Sequence, residues 1–222
     1  MQIEDENKFV VSVIKELLNL CEKTSGKSNK ALVAANIMYV VGQFPRFLCS
    51  HWPFLKTVIK KLNEFMHEKH PGVQDMASET FLKIAKLTKH MFVVRHDADK
   101  DPYICELIRQ LPENQKDLEP RQKLLIYEGI GYMISVEQLP ANQERLLSDL
   151  MQYVHFEWDQ ILAQLNLNPD QLYTNEVIKT IDFIIKVNTR VAEAVGFIYL
   201  SYLYRIFNDL LKMYGIYSNS IS

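Results

Sequence analysis

Apolar residues recur along the chain at the three- and four-residue spacing of amphipathic helices, and no stretch alternates steadily between apolar and polar positions. The first predicted helix shows the pattern with a wide apolar stripe made of Phe9, Val10, Val13, Ile14, Leu17, Leu18 and Cys21. The residues between these positions are mostly polar, as on the solvent face of a surface helix. The chain has only seven glycines among 222 residues. We therefore predict an all-α fold.

The pattern predicts about nine helices, separated by short polar or Pro- and Gly-containing segments such as TSGKSN, FPRF and HPG. The predicted ranges are approximately 7–22, 29–43, 53–69, 73–92, 102–111, 121–136, 142–165, 175–195 and 200–214. Outer helices would begin near 7, 53, 102 and 142, which gives the period of two-helix HEAT repeats, about 40 to 50 residues. We predict an α-solenoid of antiparallel helix pairs, with a compact helical bundle as the alternative.

The terminal predicted helices are as apolar as the middle ones, whereas a complete solenoid ends in polar caps. We therefore expect this chain to be an internal part of a longer array. No apolar run approaches the length of about 18 residues that a membrane span needs, and the acidic start MQIEDENKF has no secretory signal. No membrane partner is expected.

Charge is unevenly distributed although the net charge of the chain is only -2. Between Lys8 and His70 there are ten basic and four acidic residues, a local charge of +6. This excess favours an acidic partner, or else a solvated basic face. Nucleic acid is not favoured, because the segment has no arginine stripe interleaved with exposed aromatic residues.

Gly26, Lys27 and Ser28 match the end of a phosphate-binding loop. That motif needs another glycine five residues earlier and a buried strand before it, but Cys21 occupies the position and a helix precedes it. We predict a turn between two helices, with Ser28 or Asn29 capping the second helix. No nucleotide cofactor is expected.

The cysteines lie far apart without CxxC spacing, so no disulfide framework or zinc site is indicated. His67 and His70 lack further ligands nearby, which is typical of a solvated helix end. Cys21 lies close to lysines and is expected to be partly exposed and reactive. A catalytic cysteine needs a histidine, and the nearest in sequence, His51, lies beyond a whole helix. We predict no catalytic residue, no metal and no enzyme activity.

The first three predicted helices carry apolar stripes edged with lysine. The apolar positions are Ile14, Leu18, Cys21, Ala34, Met38, Phe54, Thr57, Val58, Leu62 and Phe65, and the lysines are Lys15, Lys27, Lys30, Lys56, Lys60 and Lys61. Such stripes usually form a core. Two outer helices of a solenoid can also part at the surface and leave an apolar slot, which suits an amphipathic helical peptide with acidic flanks.

Residues 29–86 resemble the exportin-1 family of HEAT-repeat karyopherins, the importin-β-type nuclear export receptors that carry leucine-rich export signals. The matching blocks are IMYVVGQ, PRFL, HW, FLKTV, EFMHE, GVQDMA and KIA, followed by YEGIGYMIS, LLSDLM, EWDQI and IIKVNTRVAEAVG. The resemblance weakens after about residue 95 and continues in patches to about 210. It departs from the family pattern at Ser28, Pro53 and Asn63.

The resemblance implies that residues 1–90 are two HEAT repeats forming the export-signal groove and that residues 91–222 are further repeats. The implied groove residues are Ile14, Leu18, Cys21, Lys27, Lys30, Ala34, Met38, Phe54, Thr57, Val58, Lys61, Leu62, Phe65 and Met76. Cys21 matches the cysteine that electrophilic export inhibitors attack, and Lys61 matches a lysine that screens peptides at the narrow end.

The resemblance further implies a set of partners and a location. The partners are export-signal peptides of cargo proteins, nucleoporins, and Ran-GTP, which would bind mainly outside this segment. The implied location is shuttling between nucleus and cytoplasm. The alternative hypothesis is a purely structural HEAT scaffold in which every apolar stripe is core.

Overall fold

The computed structural model describes residues 3–70, 72–96, 99–168 and 174–219, and within these ranges the regular structure is entirely helical. The helices are α1 (Ile3–Lys23), α2 (Lys27–Val41), α3 (Pro45–Ser50), α4 (Trp52–Phe65), α5 (Val73–Thr88), α6 (His90–Val93), α7 (Tyr103–Asn114), α8 (Pro120–Ile134), α9 (Pro140–Leu167), α10 (Asn175–Val195) and α11 (Leu200–Asn219). A 3-10 turn, Phe197–Tyr199, joins α10 to α11. The nine longer helices match the predicted ones, and the short helices α3 and α6 were not predicted.

The helices form two layers of successive pairs. The second helices α2, α5, α8 and α10 pack on one another in chain order and make a continuous inner layer. The first helices α1, α4, α7 and α9 each pack on their own partner and make the outer layer. Each pair contacts mainly the pairs before and after it, as in a HEAT-repeat solenoid. The predicted fold class is confirmed.

A single hydrophobic core runs through the solenoid between the two layers. In α4, Leu55, Ile59 and Leu62 recur at helical spacing, and Met66 follows at the end of the helix; all four side chains are completely buried. Burial of such a side chain stabilises the fold by about 1.5–3 kcal/mol. Glu128 ties the inner layer together, because its carboxylate lies 2.9 Å from Lys86 Nζ of α5 and 3.4 Å from Arg190 Nη1 of α10.

The turn between α1 and α2 differs in detail from the prediction. Gly26 has a φ of 88°, which glycine adopts without strain, and α2 begins directly after it at Lys27. Ser28 and Asn29 therefore lie inside the first turn of the helix and do not cap it. Asn29 Nδ2 instead donates to the Ser25 carbonyl at 3.2 Å. The predicted caps were wrong because the glycine lets the helix begin earlier.

Within the described residues, no helix combines the length and the apolar character that a membrane span requires.

Candidate functional site: an apolar groove between α1 and α4

Helices α1, α2 and α4 enclose an open groove of 480 Å³, which we call the α1–α4 groove. Its lining consists of Ile14, Leu18 and Cys21 from α1, Lys30, Ala31, Ala34 and Met38 from α2, and Phe54, Thr57, Val58, Lys61, Glu64 and Phe65 from α4. Apart from the charged rim residues Lys30, Lys61 and Glu64, these side chains are mostly apolar. The groove is thus apolar along its length and charged at its edges.

The local sequence explains why this space stays open. The α1 and α4 lining residues each recur at helical spacing along one face, so both helices turn an apolar stripe toward the groove. Between them, α2 offers the small side chains of Ala31 and Ala34, which are too short to fill the gap. Helix α1 packs mainly on α2, whereas α4 packs mainly on α5 and also contacts α2 and α3.

Burial decreases from the floor of the groove to its lip. Val58 is 1% exposed and Ile14 is 9% exposed, so both belong to the floor. Leu18 is 48% exposed at the lip, and Phe54 and Phe65 are half-buried. Apolar surface therefore faces solvent here and would be covered by a bound apolar ligand.

Cys21 lies in the wall of the groove, half-buried, where α1 meets α2. Its thiol is 3.8 Å from the Lys30 carbonyl oxygen, which can accept a weak S–H hydrogen bond. The thiol is a lining group that a molecule in the groove would touch. Among the described residues the groove lining contains no histidine, so it lacks the base that a cysteine nucleophile needs.

The rim carries charges of both signs. Lys61 Nζ lies 2.6 Å from Glu64 Oε2, and both side chains are at least half exposed. Lys30 is also exposed. Sequence reasoning missed Glu64 and Ala31. Their spacing contained the signal, because Glu64 follows Lys61 by three residues and Ala31 precedes Ala34 by three.

All predicted groove residues except Lys27, Leu62 and Met76 lie in the lining. Lys27 is exposed at the start of α2, next to the groove, and Met76 is half-buried in the first turn of α5. Leu62 is completely buried in the core, on a different face of α4 from its neighbour Lys61.

The lysine rim also differs from the prediction. Lys56, expected beside the slot, lies on the opposite side of α4 with its Nζ 2.5 Å from Asp99 Oδ1. Lys15 and Lys60 are exposed but are not part of the lining. The rim prediction was wrong for Lys56, because a carboxylate from a distant part of the chain binds it.

His67, considered above as part of a metal site, has another role. Its Nδ1 lies 2.7 Å from Asp117 Oδ2, and this hydrogen bond lowers the pKa of the Asp117 carboxyl. Among the described residues, no group of three or more potential ligands that could hold a metal ion was found.

Comparison with known proteins agrees with the architecture. Residues 1–28 match the family model described as CRM1 / Exportin repeat 3. The whole chain is 46% identical to Protein EXPORTIN 1A of Arabidopsis thaliana over 222 residues, and 46% identical to Exportin-1 of Dictyostelium discoideum over 219 residues. It is 45% identical over 222 residues to Exportin-1 of Schizosaccharomyces pombe.

These alignments confirm the resemblance along the whole chain, including the region after residue 95 where the sequence blocks became sparse. The chain spans 21% of the length of each of these relatives.

Proposed function

Since this chain is homologous from end to end to a segment of the exportin-1 family, we propose that its α1–α4 groove binds leucine-rich nuclear export signals of cargo proteins. The observation that carries the proposal is the open apolar groove, reachable from solvent and edged with lysine. Residues 1–90 are then the groove-forming repeats, and residues 91–222 continue the solenoid that supports them.

The shape and chemistry of the groove suit an amphipathic peptide. The α1 wall presents Ile14 and Leu18, and the α4 wall presents Phe54, Val58 and Phe65. Such walls accept apolar anchors spaced along one face of a helix. Lys30 and Lys61 at the rim suit acidic residues beside those anchors. Leu18 is half exposed, and a bound peptide would cover the exposed part of this side chain.

The energetics favour reversible binding. A peptide that buries four or five apolar anchors gains about 1.5–3 kcal/mol for each anchor. Ordering a disordered peptide and losing its translational freedom costs several kcal/mol. The remaining affinity is modest, as a carrier that must release its cargo requires.

The parent receptor would act as a non-enzymatic carrier that shuttles between nucleus and cytoplasm and contacts nucleoporins at the pore. Ran-GTP would bind mainly to other parts of the solenoid and raise the affinity of the groove for cargo, which is a coupling between two sites. The isolated segment is therefore expected to bind signals without control by Ran.

The test is titration of a fluorescent leucine-rich peptide with the wild-type protein and with Phe65→Ala. We expect saturable binding to the wild type and at least about tenfold weaker binding to the variant, equivalent to about 1.4 kcal/mol. A peptide with its leucines replaced by alanine should not bind.

Phe156→Ala is the matched control, because Phe156 is 63% exposed on α9, outside the groove. This variant should bind like the wild type. Equal weak binding to all three proteins would favour the alternative of a purely structural scaffold.

A further inference from the structure

Helix α4 is held from behind by a carboxylate that belongs to the next repeat. Asp99 precedes α7, and its Oδ2 accepts a hydrogen bond from Trp52 Nε1 at 3.0 Å. Its Oδ1 accepts a second from Lys56 Nζ at 2.5 Å. Both donors lie in the first half of α4. We call the trio Trp52, Lys56 and Asp99 the Asp99 latch.

The latch is better shielded from water than an ordinary surface ion pair. The Asp99 side chain is 13% exposed and that of Lys56 is 23% exposed. The His96 ring stacks on Trp52 with its centroid 4.0 Å away, and Lys56 Nζ lies 5.0 Å above the Tyr103 ring. Partial desolvation and two charge-assisted contacts make such a carboxylate a stronger tie than an exposed pair.

The latch and the groove occupy opposite faces of the same helix. At about 100° per residue, Trp52 and Lys56 point about 140° to 180° away from Phe54 and Lys61 in the groove lining. A helix of 14 residues moves as a stiff unit, so a tie on its outer face also determines where its groove face lies. Helix α1 gives little opposing support because it packs mainly on α2 and α3.

We propose that Asp99 is a positioning residue for peptide binding, because it fixes the distance of the α4 wall from α1 and so keeps the groove at a width that fits a helical peptide. The proposal rests on the function proposed above. Asp99 itself does not touch the ligand. The buried side chains of α4 still hold the helix on α5 when the latch is lost, but its first half becomes less restrained. Peptide binding must then fix the position of this wall as well.

A matched control exists in the same chain. Asp209 accepts a hydrogen bond from Trp158 Nε1 at 3.2 Å and pairs with Lys212 Nζ at 3.4 Å, so it reproduces the indole, carboxylate and lysine arrangement. Trp158 lies on α9 and Asp209 on α11, neither of which contributes to the groove. Loss of this trio should affect stability without affecting the groove.

The experiment compares the wild type with Asp99→Ala, Asp99→Asn, Trp52→Phe and Asp209→Ala. Two quantities are measured for each folded protein: the Kd and dissociation rate of a fluorescent leucine-rich peptide, and the alkylation rate of Cys21 by iodoacetamide. Mass spectrometry of the separated peptides gives the Cys21 rate relative to that of the exposed Cys49. The alkylation rate reports the accessibility of the groove wall without any peptide.

Asp99→Ala should raise Kd about threefold to tenfold, mainly through faster dissociation, and raise the Cys21 to Cys49 rate ratio at least about twofold. Trp52→Phe and Asp99→Asn each keep part of the latch and should show smaller changes in the same direction. Asp209→Ala should change neither quantity. Binding and alkylation that stay at wild-type values in folded Asp99→Ala and Trp52→Phe would overturn the proposal.

The two proposals fail in different ways. If the wild type does not bind the peptide, the proposed function fails, and the Cys21 rate ratio still decides whether Asp99 positions α4. If the wild type binds and Phe65→Ala does not, but Asp99→Ala binds normally with an unchanged rate ratio, only the latch proposal fails.

Discussion

Gly129 of α8 lies so close to Phe81 of α5 that a Cβ atom added to the glycine would be 2.8 Å from Cε1 of the ring. Gly129 is not in the left-handed region, so proximity and not backbone conformation makes glycine necessary here. The missing side chain lets two neighbouring helices of the inner layer pack tightly.

Gly129→Ala should therefore destabilise the protein by about 1–3 kcal/mol, because the buried Phe81 ring must shift within a packed core. Urea unfolding followed by circular dichroism measures the change. Gly215→Ala is the control, since an added Cβ there meets no atom within 4 Å. That variant should be neutral or slightly stabilised, because alanine favours the helix by up to about 1 kcal/mol. Equal effects of the two substitutions would contradict the packing argument.

Lys61→Met should change peptide selectivity more than stability. The Lys61 and Glu64 pair is exposed, and such pairs contribute at most about 1 kcal/mol. Without the lysine, Glu64 is left unbalanced at the rim and repels acidic flanks. We expect about twofold to fivefold weaker binding of an acidic-flanked peptide at low salt, and a smaller difference at high salt.

Lys116→Met provides the comparison for this prediction. Lys116 pairs with Glu113 at the same spacing and with similar exposure, but lies outside the groove. The Lys116→Met substitution should leave the affinity for the peptide unchanged at any salt concentration. A change of stability without a change of binding in Lys61→Met would instead support the purely structural scaffold.

The Asp99 latch predicts a pH-dependent stability difference. The hydrogen bond from Lys56, supported by that from Trp52 and opposed by partial burial, holds the pKa of Asp99 below its ordinary value. A carboxyl group with a lowered pKa in the folded state stabilises the protein when the pH is above its unfolded-state pKa of about 3.9. This stabilisation is lost as the pH falls through the folded-state pKa. Asp99→Asn should cost about 1–2 kcal/mol near neutral pH, and this cost should begin to decrease as the pH falls below about 4.

Urea unfolding of wild type and Asp99→Asn at about pH 7, 5 and 3.5 checks this direction. Asp182→Asn, in the exposed pair with Lys186, serves as the reference and should stay within about 0.5 kcal/mol at each pH. A difference between wild type and Asp99→Asn that grows toward low pH would show that the sign is wrong.

Alkylation of Cys21 should block peptide binding, because the added group occupies the wall of the groove between α1 and α2. Cys21→Ser removes the site of modification at the cost of only a small change in volume, and it should bind peptide both before and after iodoacetamide treatment. Fluorescence titration before and after treatment measures the effect. Alkylation of the exposed Cys49 alone should leave peptide binding unchanged. Peptide binding that persists after complete alkylation of Cys21 would contradict the assignment of Cys21 to the groove wall.

Helical spacing in the sequence predicted most of the candidate site because the lining residues of each helix share one face. Spacing failed at Leu62, which is next to Lys61 in the chain but about 100° away around the helix and inside the core. The prediction also failed at Lys56, which was assigned to the rim because its sequence neighbours line the groove. The partner of Lys56, the Asp99 carboxylate, could not be predicted from α4 alone.

The sequence by itself determined the local features of this protein: the helices, their order in pairs and the apolar stripe that each one carries. These depend on interactions between residues three or four positions apart, which periodicity records. Only the tertiary structure decided which stripes are sealed and which are open. The α1–α4 groove and the contact of Asp99 with Trp52 depend on where whole helices lie, and helix positions result from packing between distant segments.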